Sequence, residues 1–111
     1  MPTDEPLRYG LPENTIASIV ALFEVVPEIK QVILYGSRAK GNFQNGSDID
    51  LVIKGGSVSH SQLLSLENRL DDLLLPYSID LSLLHQISNL DLLDHIQRVG
   101  VVLYEKSDKE L

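Results

Sequence analysis

YGSRAKGNFQNGSDIDLV, from Tyr35 to Val52, joins a Gly-Ser pair to two aspartates that stand one residue apart. Ten residues, 38–47, separate Ser37 from Asp48. Apolar runs rich in β-branched residues lie on both sides, at 31–35 and 51–53, and each run predicts a strand. The glycine between them predicts a turn that leads into a short helix or loop. The stretch therefore has the form strand, glycine turn, short helix or loop, strand.

The other elements follow from hydrophobic spacing and from helix-breaking residues. Helical spacing predicts a helix from Pro12 to Val26, since Pro27 prevents its continuation. Downstream, a leucine-rich helix stops before Pro76, and Ser88 to Asp91 resembles a capping box for a last helix that ends at Gly100. Strands are predicted at 30–35, 47–54, 77–83 and 101–104. The pattern predicts an α/β (α+β) fold, a small mixed sheet of about four strands flanked by helices.

The predicted domain organisation is simple, because 111 residues suffice for one domain with one core. Residues 1–10 carry two prolines and three charged residues and are expected to form a flexible leader. Residues 11–105 form the folded domain, and residues 106–111 form a charged tail expected to fray.

Three aspartates on two predicted strands are the main candidate site. Strand alternation places Asp48 and Asp50 on one face of their strand, and Asp80 on the corresponding face of another. If the two strands pair, the three carboxylates converge, since neighbouring strands lie about 4.8 Å apart. Like charges 4 Å apart repel by about 4 kcal/mol at an effective dielectric of 20, and a divalent cation removes that cost. Mg²⁺ prefers such oxygen ligands and often completes its shell with substrate phosphate.

The Gly-Ser turn predicts a phosphate-binding element beside those carboxylates. Gly36 lets the backbone approach a phosphate closely, and the Ser37 hydroxyl and nearby N–H groups can donate to phosphate oxygens. A helix that begins near Arg38 would add its N-terminal dipole. Arg38 and Lys40 are two of only nine basic residues, and solvated loop cations are the alternative interpretation of both.

Simpler interpretations of the same residues are weaker. An isolated Asp-x-Asp is usually a solvated strand end, and an isolated Gly-Ser is usually only a turn. An EF-hand loop is disfavoured because the residues after Asp50 are apolar, and a P-loop fails because no Gly-Lys-Ser/Thr follows Gly36 at the needed spacing. The Gly-Ser pair, the spacing of ten residues, the Asp-x-Asp and the downstream strand aspartate together indicate a functional site much more specifically than any one of them alone.

Bulk composition excludes several classes of protein. The chain has no cysteine, so disulfides and cysteine-ligated zinc are ruled out, and a reducing cytoplasm suits it. The net charge is −7 and no basic face is visible in the sequence, so nucleic acid is not an expected partner. A nucleotide is still compatible with this charge, because metal ions can screen its phosphates from an acidic site. No apolar run approaches the roughly 20 residues of a membrane span, and no membrane association is expected.

Together, Gly36-Ser37 and Asp48-Ile49-Asp50 resemble the signature of the DNA polymerase β-like nucleotidyltransferase superfamily. Residues 36–41 and 47–52 resemble its minimal branch, the MNT or MntA-like proteins, and Asp80 matches the strand that carries the third carboxylate. Residues 101–105 resemble the usual ending more weakly, and the similarity covers about 11–105. Two departures are Lys40, where many relatives have Arg, and the loop 42–46, which matches no fixed pattern.

This resemblance implies transfer of AMP from ATP to an acceptor hydroxyl, with pyrophosphate leaving. It implies two Mg²⁺ ions on Asp48, Asp50 and Asp80, with Asp80 also helping to deprotonate the acceptor. Gly36 and Ser37 would hold the β- and γ-phosphates, and Lys40 or Arg38 would steady the pyrophosphate. The sequence predicts these seven nucleotide and metal positions: Gly36, Ser37, Arg38, Lys40, Asp48, Asp50 and Asp80.

The resemblance also implies a partner, because the domain is too small to include a second substrate-binding domain. Minimal members resemble antitoxins whose partners are HEPN-type (HepT-like) ribonuclease toxins, silenced by adenylylation of a tyrosine. Two alternatives stay open: a subunit that modifies a small molecule held by another chain, and a non-catalytic nucleotide-binding module that masks its partner.

The sequence supports only limited predictions for the histidines and tyrosines. The three histidines show no metal-ligand spacing and are expected to be surface or capping residues: His60, His85 and His95. Tyr35, at the strand end beside Gly36, is the tyrosine most expected to line the site.

Overall fold

The computed structural model describes residues 7–44 and 46–107. In chain order its elements are β1 (Leu7–Arg8), β2 (Leu11–Pro12), α1 (Glu13–Glu24), β3 (Gln31–Tyr35), α2 (Gly36–Lys40), β4 (Ile49–Lys54), α3 (His60–Asp72), β5 (Ile79–Leu83), a 3₁₀ turn (Leu84–Gln86), α4 (Leu90–Val99) and β6 (Val101–Glu105). The main sheet has the order β5-β4-β3-β6, in which only β4 and β5 are parallel. The predicted α/β fold with a four-stranded mixed sheet is therefore confirmed.

One face of the sheet carries the main core. The odd-numbered residues of β4 point to this face, where all three are fully buried: Ile49, Leu51 and Ile53. Helices α1 and α3 cover it with apolar residues at helical spacing, among them Phe23 and Leu66. Each such side chain contributes about 1.5 to 3 kcal/mol when fully buried. This packing fixes which side of β4 and β5 remains for polar residues.

The opposite face is only partly covered. Helix α4 packs on β3 and α2, and a smaller apolar cluster forms there around Tyr35, Val52 and Ile96. Because α4 lies over this face, its residues come close to the end of β3 at the glycine turn. The carboxylate positions of β4 and β5 remain partly open to solvent.

Several predicted boundaries shift. Pro12 is the N-cap of α1 rather than its first helical residue, because its backbone is extended. The last helix is capped by Asn89, whose side chain accepts from the Leu92 amide, and not by Ser88. Helix α3 begins with a capping box at Ser59 and Gln62 that was not predicted from the sequence.

At the ends of the chain, part of the predicted leader has structure. Residues 7–12 form the β1–β2 hairpin, with Tyr9 and Gly10 at its turn. The leader at 1–6 and the tail at 108–111 lie outside the described residues. Among the helices of the described part, none has the length and apolar character needed to cross a membrane.

Candidate active site

The site is built on the pairing of β4 with β5. In this parallel pair Asp50 lies directly opposite Asp80, and Ile49 lies opposite Ile79. On its other side Asp50 lies opposite Tyr35 of β3. Directly paired residues project to the same face, so Tyr35, Asp50 and Asp80 form a row across three strands. The predicted pairing of the two aspartate-bearing strands is thus confirmed by the register.

Asp50 is the most enclosed of the three carboxylates. It is partly buried, whereas Asp48, one residue before β4, and Asp80 are exposed. Burial raises the pKa of Asp50, and the negative charges of Asp80 and Asp48 raise it further. His95 lowers that pKa, and its effect is the smallest of the four. The three aspartates therefore interact electrostatically in this fold.

The Gly36 turn lies directly against Asp50. Gly36 has φ +79°, a left-handed conformation that favours glycine, and a Cβ at this position would collide with the Asp50 Oδ2. Helix α2 begins at Gly36 rather than at Arg38 and contains only five residues. So short a helix has little dipole, and the predicted phosphate contacts would depend on individual groups of the turn.

Two of the predicted phosphate-binding side chains are free to act. Ser37 is partly exposed at the start of α2, and its hydroxyl has no hydrogen-bond partner among residues 7–44 and 46–107. Lys40 is exposed at the end of the same helix and forms no ion pair within the described part of the chain. Both remain candidates for contact with phosphate.

Arg38 occupies a different place from the one expected. Its side chain is only 2% exposed. It donates twice to the Ser47 carbonyl, at 3.1 and 2.9 Å, and once to the Tyr9 carbonyl, at 2.9 Å. The guanidinium also lies 5.1 Å from the Phe43 ring centre and 5.0 Å from that of Tyr77. With these contacts Arg38 holds the loop to the β1–β2 turn. Its donors are engaged within the fold, which does not favour the predicted contact with a phosphate.

Tyr35 lies in the site as expected, and His95 joins it unexpectedly. The two rings meet edge to face with centroids 6.1 Å apart. Burial raises the pKa of the Tyr35 phenol, and the charges of Asp80 and Asp50 add to that rise, which places the phenol near both carboxylates. The His95 Nε2 accepts a hydrogen bond from the Gly36 amide at 3.2 Å. His60 and His85 are exposed, as expected.

A cation fits the chemistry of this donor set. Three carboxylates near one strand end supply the oxygen ligands that Mg²⁺ prefers. The pKa of Asp50 is raised first by burial and then by the charges of Asp80 and Asp48, and a bound cation would offset all of these effects. Within the described residues, no three His, Asp or Glu side chains already have the arrangement of a metal centre. The metal-binding role of Asp48, Asp50 and Asp80 accordingly stays a prediction.

Cavity size does not locate this site. A cleft of about 510 Å³ lies at the opposite end of the strands, lined by residues that include Lys30, Lys54 and Lys106. The carboxylates lie on an open face instead. We assign the site from its chemistry, because the paired carboxylates and the glycine turn meet on that open face.

These features define a small α/β domain with a row of carboxylates beside a glycine-serine turn. The family model described as "Polymerase beta, Nucleotidyltransferase" matches residues 17–109, well over half of the sequence. The chain belongs to the polymerase β nucleotidyltransferase family, and the resemblance noted in the sequence is confirmed. A comparison with curated protein sequences gives no match.

Solved structures with the same fold come from toxin–antitoxin complexes. A chain of a toxin–antitoxin crystal structure with AMP-PNP has a TM-score of 0.66 and 24% identity, over 86% of this chain and 75% of that one. A chain from the complex of the tri-AMPylated Shewanella oneidensis HEPN toxin with MNT antitoxin has a TM-score of 0.63 and 19% identity, over 85% and 72%. A chain of the MntA–HepT complex gives 0.63 and 19%, over 85% and 73%. At these identities the likeness shows the fold.

Proposed function

We propose that this chain is a cytoplasmic protein adenylyltransferase that transfers AMP from ATP to a tyrosine hydroxyl of a HEPN-type, HepT-like toxin. It would thereby act as the antitoxin of a toxin–antitoxin module. The observation that carries the proposal is the register of Asp50 opposite Asp80, beside the Gly36 turn. Likeness to chains from complexes with AMP-PNP and with an AMPylated HEPN toxin supports the choice of nucleotide and partner.

The reaction is a displacement at the α-phosphorus of ATP. The acceptor oxygen forms a bond to that phosphorus, and the bond from the phosphorus to the bridging oxygen of the β-phosphate breaks. Pyrophosphate leaves with the bonding electrons, and the acceptor hydroxyl loses its proton. Asp80 is the base in this proposal, because it is the exposed carboxylate of the paired strands and faces solvent where an acceptor can approach.

Divalent cations complete the site. Two Mg²⁺ ions on Asp48, Asp50 and Asp80 would neutralise phosphate charge and lower the pKa of the acceptor hydroxyl. Asp50 lies opposite Asp80 and two residues after Asp48, which supports its assignment to the metal-binding set.

The turn supplies the phosphate contacts. The Gly36 amide and the Ser37 hydroxyl, which has no hydrogen-bond partner within the described part of the chain, donate to oxygens of the β- and γ-phosphates. Lys40, exposed at the end of α2, steadies the departing pyrophosphate. Arg38 acts indirectly by holding the loop that follows α2, through its bonds to the Ser47 and Tyr9 carbonyls.

The test is incubation with labelled ATP, Mg²⁺ and a HEPN toxin, followed by intact-mass and peptide mass spectrometry of the toxin. We expect a mass gain of one or more AMP units on a tyrosine, which depends on both ATP and Mg²⁺. Asp80→Asn should lower the rate at least about 100-fold, because it removes the general base. Asp71→Asn, an exposed carboxylate on α3, is the matched control and should transfer normally.

Other outcomes separate the alternatives. Equal transfer by wild type, Asp48→Asn and Asp80→Asn would refute the assignment of the site. Toxin neutralised by the carboxylate variants, without any mass gain, would indicate masking by contact alone. Label recovered on a small molecule and not on the toxin would indicate a subunit that modifies small molecules.

A further inference from the structure

His95 contacts the nucleotide turn from a distant part of the chain. Its Nε2 lies 3.2 Å from the Gly36 amide nitrogen, although the two residues are 59 positions apart. Because a backbone N–H can only donate, Nε2 must be the acceptor, and the proton of the neutral ring is on Nδ1. The ring is held by its edge-to-face contact with Tyr35, which precedes Gly36. This hydrogen bond is therefore a defined feature of the nucleotide-free fold.

The Gly36 amide needs an acceptor in the nucleotide-free protein. It is partly buried, at a left-handed turn where the Asp50 carboxylate lies against the position that a Cβ would occupy. A buried N–H without a partner costs about 1 to 3 kcal/mol. Among the described residues the amide donates to the imidazole of His95 and not to a backbone carbonyl. The imidazole thus accepts from an N–H that has no partner among its neighbours in the sequence.

The same donor is the one assigned to a phosphate oxygen. A backbone amide has a single hydrogen, so the imidazole and the triphosphate compete for it. We propose that His95 is a positioning residue that occupies the Gly36 amide in the absence of nucleotide and is displaced when the triphosphate binds. The inference rests on the proposed function, because it requires a phosphate at Gly36.

Competition of this kind has opposite effects on the two states. The hydrogen bond stabilises the free protein, and binding must break it, so its strength subtracts from the affinity for nucleotide. Removing the acceptor should therefore lower the thermal stability of the free protein and tighten nucleotide binding. A typical net hydrogen bond corresponds to a change of about 2- to 10-fold in the dissociation constant.

The variants separate the acceptor from the ring. His95→Phe keeps an aromatic ring against Tyr35 but removes the acceptor, whereas His95→Gln restores an acceptor oxygen near the position of Nε2. His60→Phe is the matched control, since His60 is exposed at the start of α3. The probe is a non-hydrolysable ATP analogue with Mg²⁺, measured by calorimetry, with thermal unfolding of each free protein in parallel.

We expect His95→Phe to bind the analogue about 2- to 10-fold more tightly than wild type and to unfold at a lower temperature. His95→Gln and His60→Phe should resemble wild type in both measurements. Equal or weaker binding by a folded His95→Phe would overturn the inference while leaving the proposed function intact. No binding by wild type would overturn both.

A measurement on the wild type covers the case in which His95→Phe does not fold. Nuclear magnetic resonance of the free protein should show nitrogen–nitrogen coupling through the bond from the Gly36 amide to His95 Nε2. We expect this coupling to vanish when the analogue and Mg²⁺ are added. Its persistence in the complex, or its absence from the free protein, would overturn the inference.

Discussion

Gly36 is the residue on which the spacing between the turn and the carboxylates most directly depends. Its φ of +79° and the position of the Asp50 carboxylate both disfavour a Cβ at this position. Gly41 shares the left-handed conformation, with φ +88°, but has open space where a Cβ would be. The two glycines therefore allow backbone strain to be separated from collision.

Gly36→Ala should destabilise the protein more than Gly41→Ala does. Left-handed backbone alone costs an alanine about 1 to 2 kcal/mol, which is the whole cost expected at position 41. At position 36 the collision with Asp50 adds to it and should also abolish nucleotide binding. Urea denaturation and calorimetry measure the two effects. Equal loss of stability for both variants would show that Asp50 moves aside freely.

Asp50→Asn should stabilise the protein in the absence of divalent cations while abolishing transfer. The charged carboxylate is disfavoured by burial and by Asp80 and Asp48, and a neutral amide of the same shape removes that cost. We expect a melting temperature a few degrees higher in the presence of EDTA. Asp72→Asn, at an exposed position of α3, is the control. A lower melting temperature for Asp50→Asn would contradict the repulsion argument.

At the scale of elements, one buried arginine joins three segments. Arg38 of α2 donates to Ser47, just before β4, and to Tyr9 at the β1–β2 turn. The Phe43 and Tyr77 rings both lie within cation–π distance of its guanidinium group. The loop between α2 and β4 is thereby attached to the hairpin, and the start of β4 is placed with it.

Arg38→Met should cost about 2 to 4 kcal/mol of unfolding free energy, because two carbonyls lose a charged donor inside the fold. Arg38→Lys should also be destabilising, since an ammonium group cannot reproduce the planar fork between two rings. Lys40→Met, two residues away and exposed, should change stability by no more than about 0.5 kcal/mol. Chemical denaturation checks all three. Similar stability for Arg38→Met and Lys40→Met would contradict the structural role of Arg38.

Sequence alternation is sufficient to predict the faces of β4 and β5, because side chains alternate with period 2 and one face is apolar. It does not fix the register, since a slip of two residues would preserve both faces and separate Asp50 from Asp80. Arg38 and His95 are harder still. Arg38 bonds to Tyr9, 29 residues away, and His95 bonds to Gly36, 59 residues away. No local sequence pattern therefore predicts that Arg38 is buried or that His95 contacts the turn.

On the scale of the whole molecule, charge is the dominant constraint on substrate binding. The chain carries −7, and its three site aspartates lie where a triphosphate, itself strongly anionic, is proposed to bind. Lys40 is the exposed cation of the turn, since Arg38 is buried. One lysine cannot offset both sets of negative charges, so nucleotide and divalent cations should bind together.

Thermal unfolding tests this coupling. Mg²⁺ with a non-hydrolysable ATP analogue should stabilise the protein by about 2.7 kcal/mol at 100 times the dissociation constant. The analogue with EDTA should give almost no shift, because the carboxylates repel its phosphates when no cation lies between them. Asp50→Asn should reduce the joint effect, whereas Asp71→Asn should keep it. An equal shift with and without Mg²⁺ would mean that the phosphates bind away from the carboxylates, and the catalytic arrangement proposed for Asp50 and Asp80 would fail.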